Sequence, residues 1–554
     1  MSTSTSRDSG GLRPAAVAGV PLPMVAQVAG ARTARSGSTG SASSGLGFDA
    51  VTVSGVTLRA QWTRPGDLFA ALPGTKAHGA DFVVDALDAG AIAVLTDAAG
   101  VEAMDADARG AVGRVPVLVV DDVRSVLGVV ASTVYGCPSS RLPIIGVTGT
   151  SGKTTTGYLL EAALTAGGHR TGLIGTVETR IAGQATTSLL TTPEAPDLQA
   201  MFALMLEQDV DAVVMEVSSH ALSLGRVAGT SFAAGAFTNL SQDHLDFHPD
   251  MESYFRAKAL LFDGRAAAAV IDVDDEYGRR LAGLHPAAMT VSAAGHPGAG
   301  WSVTGTEAIG AGAQRFTVRR PSGSVLTVEL ALPGRFNVAN AIVALACIDA
   351  IGGDVEVAAR ALREVAVPGR MERVDAGQDF LVVVDYAHKP AAVSAVLEAI
   401  SADLSGRLIV VIGAGGDRDA GKRPVMGSAA AALADLLVVT DDNPRSEAPA
   451  EIRAAILRGA RADVRRLRPG SAEVLEQGDR REAIRTAIGA AHSGDVVVIA
   501  GKGHEQGQEI GAVVHPFSDR AEVLAALQAR QATDVSPRQL GPVGDRRAGE
   551  QEPR

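Results

Sequence analysis

The chain has 554 residues, too many for one core, and its 46% hydrophobic content is enough to fill three or four domains. Fifty basic against 62 acidic residues give a formal net charge of −12, which excludes a broad basic face for nucleic acid but leaves room for local phosphate cradles. No apolar run reaches the length of about 18 residues that spans a bilayer, and residues 1–11 lack the basic-then-apolar order of a signal peptide. Two cysteines, Cys137 and Cys347, make neither a disulfide framework nor a metal site; both are expected to be buried, inert thiols of a cytoplasmic protein.

Residues 1–47 read as a disordered N-terminal extension, because the stretch 31–47 is rich in Ser, Gly and Thr and has little to bury. Alternation over 51–58, a Pro65-Gly66 turn into an apolar segment, a helical period over 82–89 and apolar runs at 91–95 and 116–120 predict a small α/β domain over 48–137. Its loop carrying Thr75, Lys76 and Ala77 is either a binding loop or a solvated turn.

The second domain, 138–367, opens on Leu142-Pro143-Ile144-Ile145 running into Gly146-Val147-Thr148-Gly149-Thr150-Ser151-Gly152-Lys153-Thr154-Thr155-Thr156. A buried strand, a glycine-rich turn and a helix beginning near Thr154 present unpaired N–H groups and a positive dipole end to an anion. Gly149 and Gly152 let the backbone approach phosphate, Lys153 can reach terminal phosphates, and the Thr154 hydroxyl can sit on Mg2+. Strands then alternate with helices, which predicts a parallel sheet. The strand 211–216 ends in Glu216, at the sheet edge where α/β folds place ligands, so Glu216 could share a Mg2+ with Thr154 or could simply cap a helix. The strand 234–238 opens onto a loop with Asp243, His244, Asp246 and His248, a candidate site or a set of caps and surface groups. Lys258 lies on a helical period, where an isolated lysine is normally solvated. Asn337 and Asn340 begin an alanine-rich helix and could read an adenine edge or cap the helix.

In the third domain, 368–531, four apolar runs each end in a loop of polar residues: Asp385 to Pro390, Gly413 to Asp419, Asp441 to Arg445, and Gly501 to Glu505. Parallel strands share one carboxyl edge, so these loops are expected to converge. Residues 532–554 read as a disordered tail. The fold class is α/β in three domains: a small α/β N-terminal domain, a central P-loop-type parallel-sheet ATPase domain and a C-terminal Rossmann-like domain.

Gly149 to Thr155, Glu216-Val217-Ser218-Ser219-His220, Asn239 to Asp246, Asn337 to Asn340, Gly369-Arg370-Met371-Glu372 and Asp385-Tyr386-Ala387-His388 together resemble the Mur ligase family of peptidoglycan precursor synthesis. Asp442-Asn443-Pro444-Arg445 with Gly501-Lys502-Gly503-His504-Glu505 is similar to the members that add meso-diaminopimelate to UDP-N-acetylmuramoyl-L-alanyl-D-glutamate. The resemblance implies ATP and Mg2+ as cofactors and a reaction through an acyl phosphate. It assigns the reaction to Lys153, Glu216, His244 and Lys258, with Lys258 carbamylated and metal held by Thr154, Glu216, His244 and Lys258. The nucleotide falls to Gly149, Thr150, Ser151, Gly152, Lys153, Thr154 and Thr155, with Asn337 at the adenine, Asp385 at the ribose and Arg370 at the γ-phosphate.

The UDP-sugar is assigned to Thr75, Lys76, Ala77, Thr191, Thr192, Ser218 and Arg226. The amino acid is assigned to Arg418, Asp442, Asn443, Pro444, Arg445, Gly501 and Glu505. A guanidinium such as Arg445 pairs with a carboxylate through two parallel hydrogen bonds, and the second carboxylate of diaminopimelate is what lysine lacks. The implied partners are small-molecule substrates, without nucleic acid or membrane insertion, and the implied protein is a cytoplasmic monomer. Alternatives are a lysine-adding relative, a folylpolyglutamate synthase-like ligase and a non-enzymatic nucleotide switch. The chain departs from the family pattern at Arg59-Ala60-Gln61, where Asp-Ser-Arg is frequent, and at Lys389, where asparagine is.

Overall fold

The computed structural model describes residues 11–33, 48–74, 77–104, 110, 112–113, 115–309, 312–402, 404–467 and 472–535. The chain divides into two compact units, residues 1–309 with 313–365, and residues 310–312 with 366–554. Among the described residues the first unit contains two larger sheets with separate cores and a short antiparallel pair, Val20–Pro21 with Thr52–Val53.

The smaller sheet takes the order Arg32–Thr33, Val117–Val119, Ala93–Thr96, Asp67–Ala70, Gly55–Thr57. Its last four strands are parallel and Arg32–Thr33 is antiparallel. The expected disorder of residues 1–47 does not hold for 11–33. Leu22–Ala29 is a helix with Pro in its first turn and a left-handed Gly30 cap. Its Leu22, Val25, Ala26 and Ala29 are buried in one cluster with Val123, Leu127 and Val130 of the helix Val123–Val134. Upstream, Arg13 forms a buried ion pair with Asp67 at 2.7 Å, and the Ala15 N–H donates to Glu207 of the central domain. A composition poor in bulky residues therefore still folds, because its few apolar groups share one helix face.

The larger sheet has eleven strands. Ile144–Thr148 lies between Ala212–Glu216 and Phe232–Phe237, all parallel, with Glu216 opposite Val147 and Phe237 opposite Thr148. This register brings the glycine-rich turn 149–152, the Glu216 carboxylate and the Asn239 loop out of one sheet edge. Cys347 is buried and its thiol is pushed up to about 12 by desolvation, as an inert core thiol should be. Cys137 corrects the other half of that expectation: it is exposed, on a left-handed turn with φ 50°.

The second unit is built on six strands in the order Glu372–Arg373, Leu381–Asp385, Val496–Ala500, Leu408–Ile412, Leu436–Val439, Glu473–Glu476. All but the first are parallel. Ala500 stands opposite both Asp385 and Ile412, and Ile412 opposite Val439, so the four polar loops share one edge. Uninterrupted Val, Ile and Leu runs suit strands buried on both faces. The helix Asp519–Val535 extends a few residues into the segment expected to be a disordered tail, and the remainder of that segment lies outside the described residues.

Candidate active site

In the first unit the strand Ile144–Thr148 turns through 149–152 into the helix Lys153–Ala166. Gly152 holds φ 88°, where a side chain is strained, and a Cβ there would collide with Asn340 Oδ1. The turn is braced from the neighbouring strand end: Thr150 N–H donates to Asn239 O, Ser151 N–H to Asn239 Oδ1 at 3.0 Å, and Thr238 Oγ1 to Ser151 O at 2.6 Å. Lys153 Nζ folds back onto Gly149 O at 2.9 Å and Thr150 O at 3.1 Å. A flexible ammonium resting on loop carbonyls can exchange them for phosphate oxygens. Thr155 is buried on the same first helical turn.

Thr154 Oγ1 donates to Glu216 Oε1 at 3.0 Å, and Glu216 also receives Thr176 N–H at 2.8 Å and Thr176 Oγ1 at 3.0 Å. A hydroxyl and a carboxylate beside a phosphate cradle suit Mg2+, which keeps several waters and takes other oxygens from phosphate. No group of three His, Cys, Asp or Glu side chains that could hold a metal occurs among the described residues.

His244 has φ 52°, with Nε2 3.1 Å from Asp243 Oδ2 and its ring edge-on to His220 at 5.0 Å. Lys258 is buried; its Nζ donates to Gly149 O at 2.7 Å and lies 4.6 Å over the Tyr254 ring, whose hydroxyl meets Thr150 Oγ1. The lysine of the helix Met251–Ala259 therefore reaches the glycine-rich turn at Gly149 instead of solvent. Asn337 donates to Pro333 O at 2.7 Å, and its Oδ1 accepts from Asn340.

The residues assigned to the UDP-sugar divide. Thr75 and Lys76 lie outside the described residues; Ala77 offers its carbonyl to Gly74 N–H. Thr191, Thr192, Ser218 and Arg226 gather around Glu216: Thr191 meets Thr176, Thr192 Oγ1 donates to Glu216 O, and Ser218 caps the helix Ser219–Ser223 through Ala221 N–H. Arg226 donates to Thr192 O and pairs with Glu194 at 2.9 Å.

In the second unit Asp385 ends its strand buried, accepting Met371 N–H and Ala387 N–H at 2.7 Å each. Desolvation raises its pKa against the opposing pull of Arg370. Both oxygens thus organise the turn that carries Arg370, whose guanidinium lies 4.4 Å over the Tyr386 ring. His504, 5.0 Å from the same ring, is pushed down to about 4, first by burial and then by Arg370, and is neutral at pH 7.

The loop 441–445 meets 501–509. Gly501 takes φ 121°, where a Cβ would stand 2.6 Å from Asp442 Oδ2. Asn443 Nδ2 donates to Glu505 Oε2 at 2.8 Å. Arg445, at φ 51°, is stapled by its N–H to Glu509 O and donates through Nε to Glu509 Oε2 at 2.8 Å and through Nη1 to Gly416 O at 2.8 Å. Pro444 O packs against Gly416, while Arg418 is exposed on the neighbouring loop. Thr176, Asn239, Lys502 and Glu509 are partners that sequence reading did not assign a role. Asn239 and Lys502 belong to the motifs 239–246 and 501–505, whereas Thr176 and Glu509 carry no local signal.

Family models match three stretches: the Mur ligase family catalytic domain at 52–135, the Mur ligase middle domain at 147–348, and the Mur ligase glutamate ligase domain at 369–503. A UDP-N-acetylmuramoyl-L-alanyl-D-glutamate--2,6-diaminopimelate ligase of Corynebacterium glutamicum is 56% identical over 465 residues, 83% of this chain and 89% of that protein. One of the same name from Streptomyces avermitilis is 51% identical over 484 residues, 86% and 93% of the two chains. Among solved structures, a ligase of that name is similar with TM-score 0.63 at 31% identity, covering 93% of this chain and 99% of that one. The MurF ligase of Thermotoga maritima in complex with ADP shares the fold, with TM-score 0.59 at 18% identity over 87% and 98% of the two chains. With these matches spanning the sheets and loops described above, the chain belongs to the Mur ligase family.

Proposed function

We propose that the chain is an ATP-dependent ligase that joins meso-2,6-diaminopimelate to the D-glutamate γ-carboxylate of UDP-N-acetylmuramoyl-L-alanyl-D-glutamate, in the cytoplasmic assembly of peptidoglycan precursors. The observation that carries the amino-acid assignment is that Glu509 holds the Arg445 guanidinium and also donates its N–H to Asn443, which in turn holds Glu505, so a guanidinium for a carboxylate is linked to an acceptor for an ammonium. The two ligases at 56% and 51% identity bear the name of that activity.

A carboxylate is a poor acyl donor. Transfer of the γ-phosphoryl group of ATP to the glutamate γ-carboxylate gives an acyl phosphate and ADP. The neutral amine then attacks the acyl carbon, the C–N bond forms as the C–O bond to phosphate breaks, and inorganic phosphate and a proton leave. Such chemistry needs positioning and charge neutralisation. The 149–155 turn supplies backbone donors and Lys153 the cation, Asn337 serves the adenine, Asp385 the ribose and Arg370 the γ-phosphate. Thr154, Glu216 and His244 would hold Mg2+, which neutralises phosphate charge when bound. Lys258, carbamylated, would add an anionic oxygen near Gly149. Thr191, Thr192, Ser218 and Arg226, with Thr75, Lys76 and Ala77, serve the UDP-sugar. Arg418, Asp442 and Gly501 complete the amino-acid pocket with Pro444. The enzyme acts as a monomer, and among the described residues no helix is long and apolar enough to cross a membrane.

The test is a substrate panel on the purified chain, with phosphate release and product mass as readouts. Phosphate release should require ATP, the UDP-muramoyl dipeptide and diaminopimelate together, and the product should carry the added residue. Equal turnover with L-lysine would remove the specificity assignment. Release independent of any amino acid would remove the ligase reading. Intact mass under bicarbonate should show one carbamate on Lys258.

A further inference from the structure

Lys502 has no accessible side-chain surface, and the assignments above give it no role. Its Nζ donates to Asn443 Oδ1 at 2.8 Å and to Glu505 Oε2 at 2.8 Å, and stands 3.8 Å from Asp442 Oδ1. Burial strips an ammonium of its hydration, so directed acceptors of this kind are what make its charge tolerable. Asn443 answers on the same oxygen: its Nδ2 also reaches Glu505 Oε2. Two donors thus converge on Oε2 and neither uses Oε1, while the Glu505 side chain keeps 31% of its surface exposed.

The same amide links the other arm. Asn443 Oδ1 accepts Glu509 N–H at 3.0 Å, and the Glu509 carboxylate holds Arg445 Nε. A run of directed contacts from Lys502 through Asn443 and Glu509 to Arg445 therefore sets the spacing between an ammonium acceptor and a carboxylate donor. The charges agree: Asp442 and Glu505 against Lys502 leave one negative charge, which one ammonium group neutralises.

We propose that Lys502 is a positioning residue for the amino-acid substrate, pinning Glu505 and Asn443 so that Glu505 Oε1 meets the substrate's ammonium. The inference rests on the ligase reading and deepens it. Lys502 does not touch the reacting atoms, so its loss should weaken binding of one substrate rather than slow the chemistry.

The experiment compares the full-length wild type with Lys502→Met, which keeps length without charge, and Lys502→Gln, which keeps a donor without charge. Wild type must first make the tripeptide product; if it does not, the ligase reading fails and not this proposal alone. Lys502→Met should raise KM for diaminopimelate at least tenfold with kcat at saturation within threefold, and leave KM for ATP and for the UDP-muramoyl dipeptide unchanged. Lys502→Gln should fall between the two. Calorimetric titration of diaminopimelate into each protein, which needs no turnover, should rank the affinities in the same order. An unchanged KM for diaminopimelate in a folded variant would overturn the proposal. So would a rise in all three KM values together with a lowered melting temperature, since that is the signature of a merely structural lysine.

Discussion

Arg445 Nε donates to Glu509 Oε2 at 2.8 Å while its Nη1 donates to Gly416 O at 2.8 Å, and neither bond uses Nη2. The guanidinium plane is therefore fixed from two sides by the protein itself, and fixing of this kind reduces the entropy lost on binding. A lysine at this position would lack the planar fork. Arg445→Lys should raise KM for diaminopimelate by about 10- to 100-fold, or roughly 1.4 to 2.7 kcal/mol, with a smaller change for L-lysine, which has no distal carboxylate. Glu509→Gln should move KM in the same direction by less, since the amide still accepts from Nε. Steady-state kinetics on both amino acids checks the pair, and an unchanged diaminopimelate KM in Arg445→Lys would take Arg445 out of the pocket.

The Thr154–Glu216 contact separates charge from shape. Glu216 receives three hydrogen bonds from Thr154 and Thr176, and a glutamine carbonyl could still accept the shorter of them. Glu216→Gln should thus preserve the fold and lose only the anion beside the phosphate turn. Phosphate release at saturating substrates should fall by about 10²-fold or more, in the range seen when one preorganised electrostatic group is removed. Activity of the wild type should vanish with EDTA and return with excess Mg2+. A variant with near-normal turnover and an unshifted Mg2+ requirement would separate Glu216 from the metal.

Stability should carry a pH signature from the strand end at Asp272. Burial raises this carboxyl to about 8, against the Asp274 N–H that favours the anion. An unfolded Asp titrates near 4. The native state therefore holds a proton that the unfolded chain has released, so the stabilisation is complete below about pH 4 and is lost as pH rises through about 8. Asp272→Asn keeps an acceptor for Asp274 N–H and removes the titration. Its melting temperature relative to wild type should be higher at pH 8.5 than at pH 5. Parallel melting curves at the two pH values would mean that Asp272 is ionised in the folded protein.

Sequence patterning carried the parallel sheets because strands buried on both faces must be continuous apolar runs. Leu408–Ile412 and Val496–Ala500 begin and end where the runs do. Gly152-Lys153-Thr154 was readable for a similar reason, since a glycine of positive φ before a helix start is a local demand. Contacts set by tertiary packing left no such trace. Thr176 and Glu216 are forty residues apart, and Arg445 and Glu509 are 64 apart, with nothing local to mark either pair. The helix Leu22–Ala29 was missed because eight residues beside a Ser/Gly-rich stretch gain their stability from Val123–Val134, about a hundred positions away. Cys137 was misplaced because a cysteine's usual burial is a tendency that the left-handed turn at 136–137 overrides here.

The strand that delivers Gly501 to Glu505 is anchored by one buried ion pair. Arg480 Nε and Nη2 donate to Asp519 Oδ1 and Oδ2 at 2.7 Å each, and Nη2 also donates to Ala500 O at 3.1 Å, with both side chains at 0% exposure. The pair thus ties the starts of the helices Arg480–Ala490 and Asp519–Val535 to the end of the strand Val496–Ala500. Removing one partner leaves an uncompensated buried charge, a loss of about 3–5 kcal/mol, whereas replacing both with apolar groups of similar volume avoids that penalty. Asp519→Leu alone should lower the urea midpoint strongly and raise KM for diaminopimelate by displacing Gly501. The double change Arg480→Met with Asp519→Leu should recover most of the midpoint. Strict additivity of the two single changes would show that the charges act independently and that the pair does not hold this strand end.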